Sequence, residues 1–246
     1  MLLLLPPSET KRDGGDADSR LELGSLGFAS LTEQRVVATS ALVAMAASVE
    51  ESTRALKLGR TQAFEIERNR ALLNSPVMPA IDRYTGVIYD ALDAASLSVG
   101  ARAFAAGHLA IGSALFGLLR ADDRIPAYRL SHDSRLPGIA LRRHWRAGVE
   151  AELGLRHGLT LDLRSEAYAN LGRAGQGSFY LRVLSEGEDG RRLALSHFNK
   201  HAKGEFTRAV LESGVVHSSA GDLVAWAKKN QINLDYGAPG ELDLVV

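Results

Sequence analysis

The sequence predicts a mixed α/β fold, with one sheet and surrounding helices in a single domain that spans residues 1–246. Three observations support this class. The chain of 246 residues is long enough to bury one sizeable core. Its 46% hydrophobic and 24% charged content is typical of folded globular proteins. Strand-like apolar runs alternate with stretches of helical spacing, and the later strands read as at least partly antiparallel.

In the first half of the chain, the opening MLLLLPP contains a short apolar run over residues 2–5. It has no basic flank and no cleavage site of small residues, so it predicts a buried strand rather than a signal peptide. Apolar residues at helical spacing predict helices over 31–57, 61–73 and 97–107. The helices at 61–73 and 97–107 are separated by a boundary that begins at Pro76.

The second half begins with an amphipathic helix over 139–157, whose apolar face alternates with arginines. LTLDL reads as a strand, and RSEAYANL as a short helix. FYLRVLSE and RRLALSHF flank the turn GEDG and predict a hairpin over 179–198. A further helix is predicted from Lys200 to Leu211.

Composition excludes several classes of function. The chain has no cysteine, which rules out disulfides, thiolate metal sites and cysteine nucleophiles. Its 29 basic and 29 acidic residues give a net charge of zero, so nucleic acid would have to bind through local patches. No apolar stretch is long enough to span a bilayer. We therefore expect a cytoplasmic protein that does not contact membranes.

Two patterns imitate known ligand sites. GRAGQGS at 172–178 lacks the lysine of a phosphate loop and reads as a plain loop. His197, His201 and Glu205 would align on a helix, but His197 ends a predicted strand, and Lys200 and Lys203 would repel a cation. We predict no metal site and no cofactor.

Clusters of polar residues follow or precede several predicted elements. They are Ser8, Glu9, Lys11 and Arg12; Tyr84, Thr85 and Tyr89; Arg120, Asp122, Asp123, Tyr128 and Arg129; Ser165, Glu166 and Tyr168; and Lys200, Lys203 and Arg208. Loops at strand ends carry the sites of α/β proteins. If these ends meet at one edge of the sheet, they line a cleft rich in positive charge.

The segment SALFGLLRADDRIPAYR at 113–129 has two interpretations. In the first, Gly117 allows a tight turn, while Arg120 and Arg129 present paired donors to a phosphate or carboxylate. In the second, Asp123 and its charged neighbours form a surface ionic network, and Tyr128 packs in the core.

The order of PPSETKR, YTGVIYDAL, LFGLLRADDRIPAYRL, DLRSEAY and HFNKHAKGEFTR resembles the YaaA-type peroxide-stress protein family. The resemblance covers nearly the whole chain. It implies a mixed α/β fold peculiar to that family, a helix-hairpin-helix element and a positively charged cleft. It also implies DNA binding and a cytoplasmic role in limiting iron-driven peroxide damage.

The resemblance also assigns candidate site residues. Positions that match the family pattern are Lys11, Gly117, Arg120, Asp123, Tyr128, Arg129, Glu166, Tyr168, Lys200, Lys203 and Gly204. Ser8, Glu9 and Tyr84 join them as candidate ligand-binding residues from the clusters above. One departure is Thr10, which stands where many relatives have glycine, and another is the segment ADDRIP.

Two functions from different classes follow. The first is a stress protein that binds duplex DNA through phosphate contacts near Gly117 and the neighbouring arginines. The second is an enzyme that acts on a small anionic substrate, such as a nucleotide or nucleobase derivative. In that case Lys11, Arg129 and Lys200 hold the anion, and Glu166 or Tyr168 moves protons. Both hypotheses require Lys11, Arg129, Glu166 and Lys200 to converge on one cleft.

Overall fold

A twisted sheet forms the centre of the molecule in the computed structural model, which describes residues 1–186, 192–194 and 198–246. Numbered along the chain, its strands are β1 (Leu2–Leu5), β3 (Leu109–Ser113), β4 (Gly117–Arg120), β6 (Thr160–Asp162), β7 (Ser178–Glu186), β8 (Arg192–Ala194), β9 (Leu234–Tyr236) and β10 (Glu241–Val245). A separate two-stranded sheet pairs β2 (Met78–Pro79) with β5 (Arg124–Ile125).

The main sheet is mostly parallel. Its order is β4-β3-β1-β6-β7-β10-β9, and β8 pairs with β7. The neighbours from β3 to β10 in this order run parallel, whereas β4 and β9 add antiparallel edges. The predicted mixed sheet is confirmed. The two strands of the predicted hairpin, β7 and β8, also pair antiparallel, while its turn at 187–190 lies outside the described residues.

Helices cover the sheet. Within the described residues they are α1 (Thr32–Met45), α2 (Val49–Ala55), α3 (Phe64–Arg70), α4 (Ala80–Arg83), α5 (Val87–Leu92), α6 (Val99–His108), α7 (Leu141–Gly154), α8 (Glu166–Ala169), α9 (Phe198–Ser213) and α10 (Ala220–Lys229). The helix predicted over 31–57 is two helices, because the Ser48 side chain accepts a hydrogen bond from the Glu51 backbone and starts α2. The helix-hairpin-helix element that the resemblance implies is not confirmed.

Strand β1 occupies the middle of the sheet because all four of its leucines are buried. A parallel strand covered on both faces reads as a continuous apolar run, which is the pattern of residues 2–5. β1 pairs with β3 on one side and with β6 on the other. The strand order therefore extends from β1 in both directions, first towards β3 and later towards β6. A crevice is expected at such a point, at the carboxyl ends of β1 and β6.

Two glycines permit close packing between helices and strands of the fold. In α9, a Cβ on Gly204 would collide with the backbone of Ile88 in α5. Gly117 has φ +73°, and a Cβ there would lie 2.8 Å from the ring of Trp145. Trp145 is fully buried and donates a hydrogen bond to the Ala114 carbonyl at 2.8 Å, as expected of a core anchor.

Candidate functional site

A cleft of about 620 Å³ opens at the carboxyl ends of β1 and β6. Its lining comes from the loops after these strands, from α5 and its preceding turn, from β7 and from the start of α9. The lining residues are Pro6, Pro7, Ser8, Glu9, Thr10, Thr85, Gly86, Val87, Ile88, Tyr89, Ser131, His132, Leu163, Ser165, Glu166, Tyr168, Tyr180, Asn199, Lys200 and Lys203. The cleft is of the size that holds a small ligand.

Predicted site residues from three separate parts of the chain line this cleft. They are Ser8 and Glu9, Glu166 and Tyr168, and Lys200 and Lys203. The lysines and glutamates among these residues give the cleft wall both positive and negative charge. The predicted excess of positive charge stays a prediction.

Lys203 is the buried cation of the cleft wall. Only 4% of this residue is exposed, and its ammonium donates to the Leu163 carbonyl at 3.1 Å. The same ammonium lies 5.1 Å from the centre of the Tyr180 ring. Burial lowers the pKa of Lys203 to about 8, although the Asp162 carboxylate opposes the shift.

Tyr168 and His132 also line the cleft, where their rings meet edge to face with centres 5.0 Å apart. Burial raises the pKa of the Tyr168 phenol to about 12, while hydrogen bonds from Ser131 and the His132 backbone oppose the shift. Tyr168 therefore stays protonated near neutral pH. Glu166 is exposed beside it, and Ser165 caps the short helix α8.

Lys11 and Arg129 lie beside the cleft, behind Glu9. Arg129 forms an ion pair with the Glu9 carboxylate, and the Lys11 ammonium donates to the Glu9 carbonyl at 3.2 Å. Lys11 is 5% exposed, and burial lowers its pKa to about 7, with the Glu65 carboxylate as the largest opposing influence. Glu9 thus links both residues to the cleft that Glu166 and Lys200 line.

Tyr84 and Tyr128 are buried under the same loop. Their hydroxyls are 2.7 Å apart, and the Tyr128 hydroxyl is also 2.8 Å from Ser113 Oγ. Burial raises the pKa of both phenols, so both remain neutral donors. Tyr128 packs in the core, as the second interpretation of 113–129 holds.

The predicted ligand-binding residues Gly117, Arg120, Asp123 and Gly204 are absent from the cleft lining, as are Tyr84, Tyr128 and Arg129. The Asp123 carboxylate accepts hydrogen bonds from the Gly27 and Arg120 backbone amides, both at 2.8 Å. These contacts stabilise the turn after β4. That these residues bind a ligand stays a prediction, and Gly204 lies where α9 packs closely against α5.

Sequence reasoning singled out neither His132 nor Tyr180 as a site residue. His132 follows the segment at 113–129 by three positions, and Tyr180 is the third residue of β7. Tyr180, like Glu166, also lines an adjoining depression of about 450 Å³, which is lined in part by Asp162, Arg173 and Glu241. Only the loop position of His132 offered a signal, because loops at strand ends carry functional side chains.

A second feature lies on α7, where a shallow depression of about 550 Å³ is lined by Arg142, Arg143 and Arg146. All three arginines are exposed, and Arg146 pairs with Glu150 at 3.1 Å. Leu141, Trp145 and Val149 form the buried face of the helix, which confirms the predicted amphipathic helix.

The metal-ligand pattern at 197–205 is only partly described. His197 lies outside the described residues, and His201 pairs with Glu205 at 3.2 Å. In the described ranges, no three histidine, aspartate or glutamate side chains are grouped so as to hold a metal ion. No described helix is long and apolar enough to cross a membrane.

Comparison with known proteins places this architecture in a family. A family model described as "Peroxide stress protein YaaA" matches residues 1–230. A UPF0246 protein of Corynebacterium glutamicum is 42% identical over 233 residues, which are 93% of this chain and 92% of the relative. A UPF0246 protein of Streptomyces coelicolor is 39% identical over 250 residues, or 98% and 94% of the two chains. The chain therefore belongs to the YaaA peroxide stress protein family.

Proposed function

We propose that this peroxide stress protein binds a small anionic ligand of the nucleotide or nucleobase class in the cleft at the carboxyl ends of β1 and β6. The observation that carries the proposal is the position of Lys203. Its ammonium has three donors, and the described residues provide one hydrogen-bond acceptor, the Leu163 carbonyl. A buried cation with unused donors at a cleft wall favours an anionic ligand.

The other lining groups suit the rest of such a ligand. Glu9 and Glu166 provide carboxylate acceptors for the amino or imino groups of a base. Tyr180 and His132 provide aromatic faces or edges for stacking. A mononucleotide is compatible with a cleft of about 620 Å³.

If the cleft is catalytic, Glu166 and Tyr168 are the candidates for proton transfer. Tyr168 would donate a proton rather than accept one, because its pKa is about 12. Glu166 would then serve as the base, with Lys200 and Lys203 stabilising negative charge on the substrate. We assign this function to the cytoplasm, which the absence of cysteine supports.

Calorimetric titration with adenosine and guanosine monophosphates, adenine and inorganic phosphate tests the proposal. We expect Lys203→Met to weaken nucleotide binding by about tenfold or more, because it removes a charge-assisted hydrogen bond. Lys228→Met is the matched control, since Lys228 is exposed on α10 and absent from the cleft lining. Equal nucleotide affinity in all three proteins would refute the proposal.

Duplex DNA is a second candidate ligand, at a different surface. The exposed arginines Arg142 and Arg143 on α7 favour it. In the part of the chain that the structure describes, neither has an ion-pair partner. Such a face can neutralise phosphates by releasing counterions.

A further inference from the structure

Two buried cations beside the cleft depend on a single residue of an exposed loop. The side chain of Arg129 is 9% exposed, whereas that of its carboxylate partner Glu9 is 53% exposed. Lys11 is 5% exposed and donates to the Glu9 carbonyl at 3.2 Å. Buried cations are normally held by buried acceptors, so an exposed carboxylate is an unusual partner for Arg129.

The other charges nearby are already paired. Behind Lys11, the buried Glu65 carboxylate pairs with Arg68 at 3.0 Å, and Arg68 also pairs with Asp13 at 2.5 Å. If the Glu9 carboxylate left, the cations Lys11, Arg68 and Arg129 would face only Glu65 and Asp13 among the described charges of this cluster. The cluster would then attract an anion from solution.

The Glu9 side chain is free to leave without unfolding the loop. Arg129 is the described hydrogen-bond partner of its carboxylate. The backbone of the loop is held separately, because the Thr85 amide donates to the Thr10 carbonyl at 3.3 Å and the Arg12 amide donates to the Arg83 carbonyl at 2.8 Å. Glu9 also lines the cleft, so its carboxylate stands between the cleft and Arg129, which it pairs with.

We propose that Arg129 and Lys11 form an anion subsite at the inner end of the cleft, which the Glu9 carboxylate occupies when no ligand is bound. The subsite takes a phosphate or carboxylate group of the ligand, in place of Glu9. Arg129 provides a planar pair of donors to two oxygens, and Lys11 adds an ammonium next to them. The inference rests on the proposed function, since it names where the charged end of the cleft ligand binds.

A purely structural ion pair would predict a different response. In that case Glu9 fixes the loop, and removing its charge loosens the loop without improving the binding of any anion. If instead Glu9 competes with the ligand, removing its charge raises anion affinity. Glu9→Gln separates the two cases, because glutamine keeps the size of the side chain and removes the charge.

The experiment is calorimetric titration of the full chain with inorganic phosphate and, separately, with succinate, so that the two kinds of oxyanion are distinguished. We expect Glu9→Gln to bind at least one of them about tenfold more tightly than the natural sequence. Glu67→Gln is the control, because Glu67 is an exposed partner of Arg70 on α3 and its loss changes net charge equally. It should bind as the unmodified chain does.

The double variant Glu9→Gln with Arg129→Gln should not show the increase in anion affinity that Glu9→Gln shows. Its backbone is expected to stay in place, since the Asn69 side chain bonds both the Arg129 amide at 2.8 Å and the Arg129 carbonyl at 2.9 Å. Circular dichroism and melting temperature verify that it folds. If it does not fold, the comparison of anion affinity between Glu9→Gln and Glu67→Gln still tests the subsite.

Equal or weaker binding of both anions by Glu9→Gln would overturn the subsite. If nucleotides still bind through Lys203 in that case, the proposed function survives. If the gain appears but no nucleotide binds any variant, the subsite is supported and the nucleotide proposal fails.

Discussion

The ammonium nitrogen of Lys11 lies 4.1 Å from the centre of the Tyr128 ring and 5.5 Å from that of Tyr84. Aromatic faces attract a cation but compensate its lost hydration less well than a carboxylate does. The hydroxyls of the two rings bond each other, which fixes both rings under Lys11. This environment accounts for the low pKa of Lys11, about 7.

The low pKa predicts a pH-dependent stability. The unfolded chain binds a proton at Lys11 up to its ordinary pKa, whereas the folded chain releases it above about pH 7. The cost of burying the charge is therefore complete below about pH 7 and disappears as the pH rises towards the ordinary value. We expect Lys11→Met to raise the free energy of unfolding, relative to the unmodified chain, more at pH 6 than at pH 10.

Urea unfolding at pH 6, 8 and 10 measures this difference, which should reach a few kcal/mol. Glu9, Arg129, Glu65 and Arg68 face Lys11 and remain in the variant, as do the rings of Tyr84 and Tyr128. Lys228→Met, at an exposed lysine of α10, provides the pH-independent reference. A difference between Lys11→Met and the unmodified chain that is constant with pH would contradict the assignment.

Ligand binding in the cleft should weaken at alkaline pH. An anion binds best when Lys203 is protonated, and the pKa of Lys203 in the free protein is about 8. The affinity contributed by this lysine should be constant well below pH 8 and fall above it. In Lys203→Arg the guanidinium stays charged, so the decline above pH 8 should be reduced. Titrations of adenosine monophosphate from pH 6.5 to 9.5 measure this, and the same decline in both proteins would argue against Lys203 as the anion contact.

Gly117→Ala should destabilise the fold without altering the cleft. The left-handed φ of +73° disfavours a side chain, and the new Cβ would press on the buried Trp145. We expect a loss of about 2 kcal/mol in the free energy of unfolding. Gly107→Ala in α6 is the matched control, because open space surrounds Gly107 and alanine should stabilise the helix by about 0.5 kcal/mol. Urea unfolding measures both changes in stability. Weaker nucleotide binding by folded Gly117→Ala would indicate that Gly117 belongs to the ligand site.

The elements of the fold were predictable from the sequence where neighbouring residues alone form the pattern. The leucines of β1 identify a strand buried on both faces, and the arginine-bearing stripe of α7 identifies an amphipathic helix. Strand β10 was not predicted, because Glu241 and Asp243 interrupt its apolar run. Long-range pairing leaves little trace in a local pattern.

The candidate site was predictable only as a set of clusters. Ser8, Glu166 and Lys203 reach one cleft because the loop after β1, the short helix α8 and the start of α9 meet around the ends of β1 and β6. Asp123 also lies in a cluster of polar and charged residues, yet its carboxylate stabilises a turn by accepting hydrogen bonds from two backbone amides. A dense run of charged residues does not reveal whether its partners are ligand atoms or the chain's own amides.

The arginine face of α7 leads to the last prediction, that duplex DNA binds weakly and in a salt-sensitive manner. Arg142 and Arg143 are both exposed in the first turn of α7, so a phosphate backbone can approach both. Replacing both by alanine should weaken binding and reduce the slope of log affinity against log salt by about 2, since each contact releases about one counterion. Fluorescence titration of a labelled duplex at several salt concentrations measures this slope. Arg54→Ala with Arg60→Ala removes the same charge from exposed positions elsewhere, so it should leave the slope unchanged. If both double variants lose affinity equally, net charge alone explains the binding; if no duplex binds even at low salt, α7 is a solvated helix face and the cleft remains the candidate site.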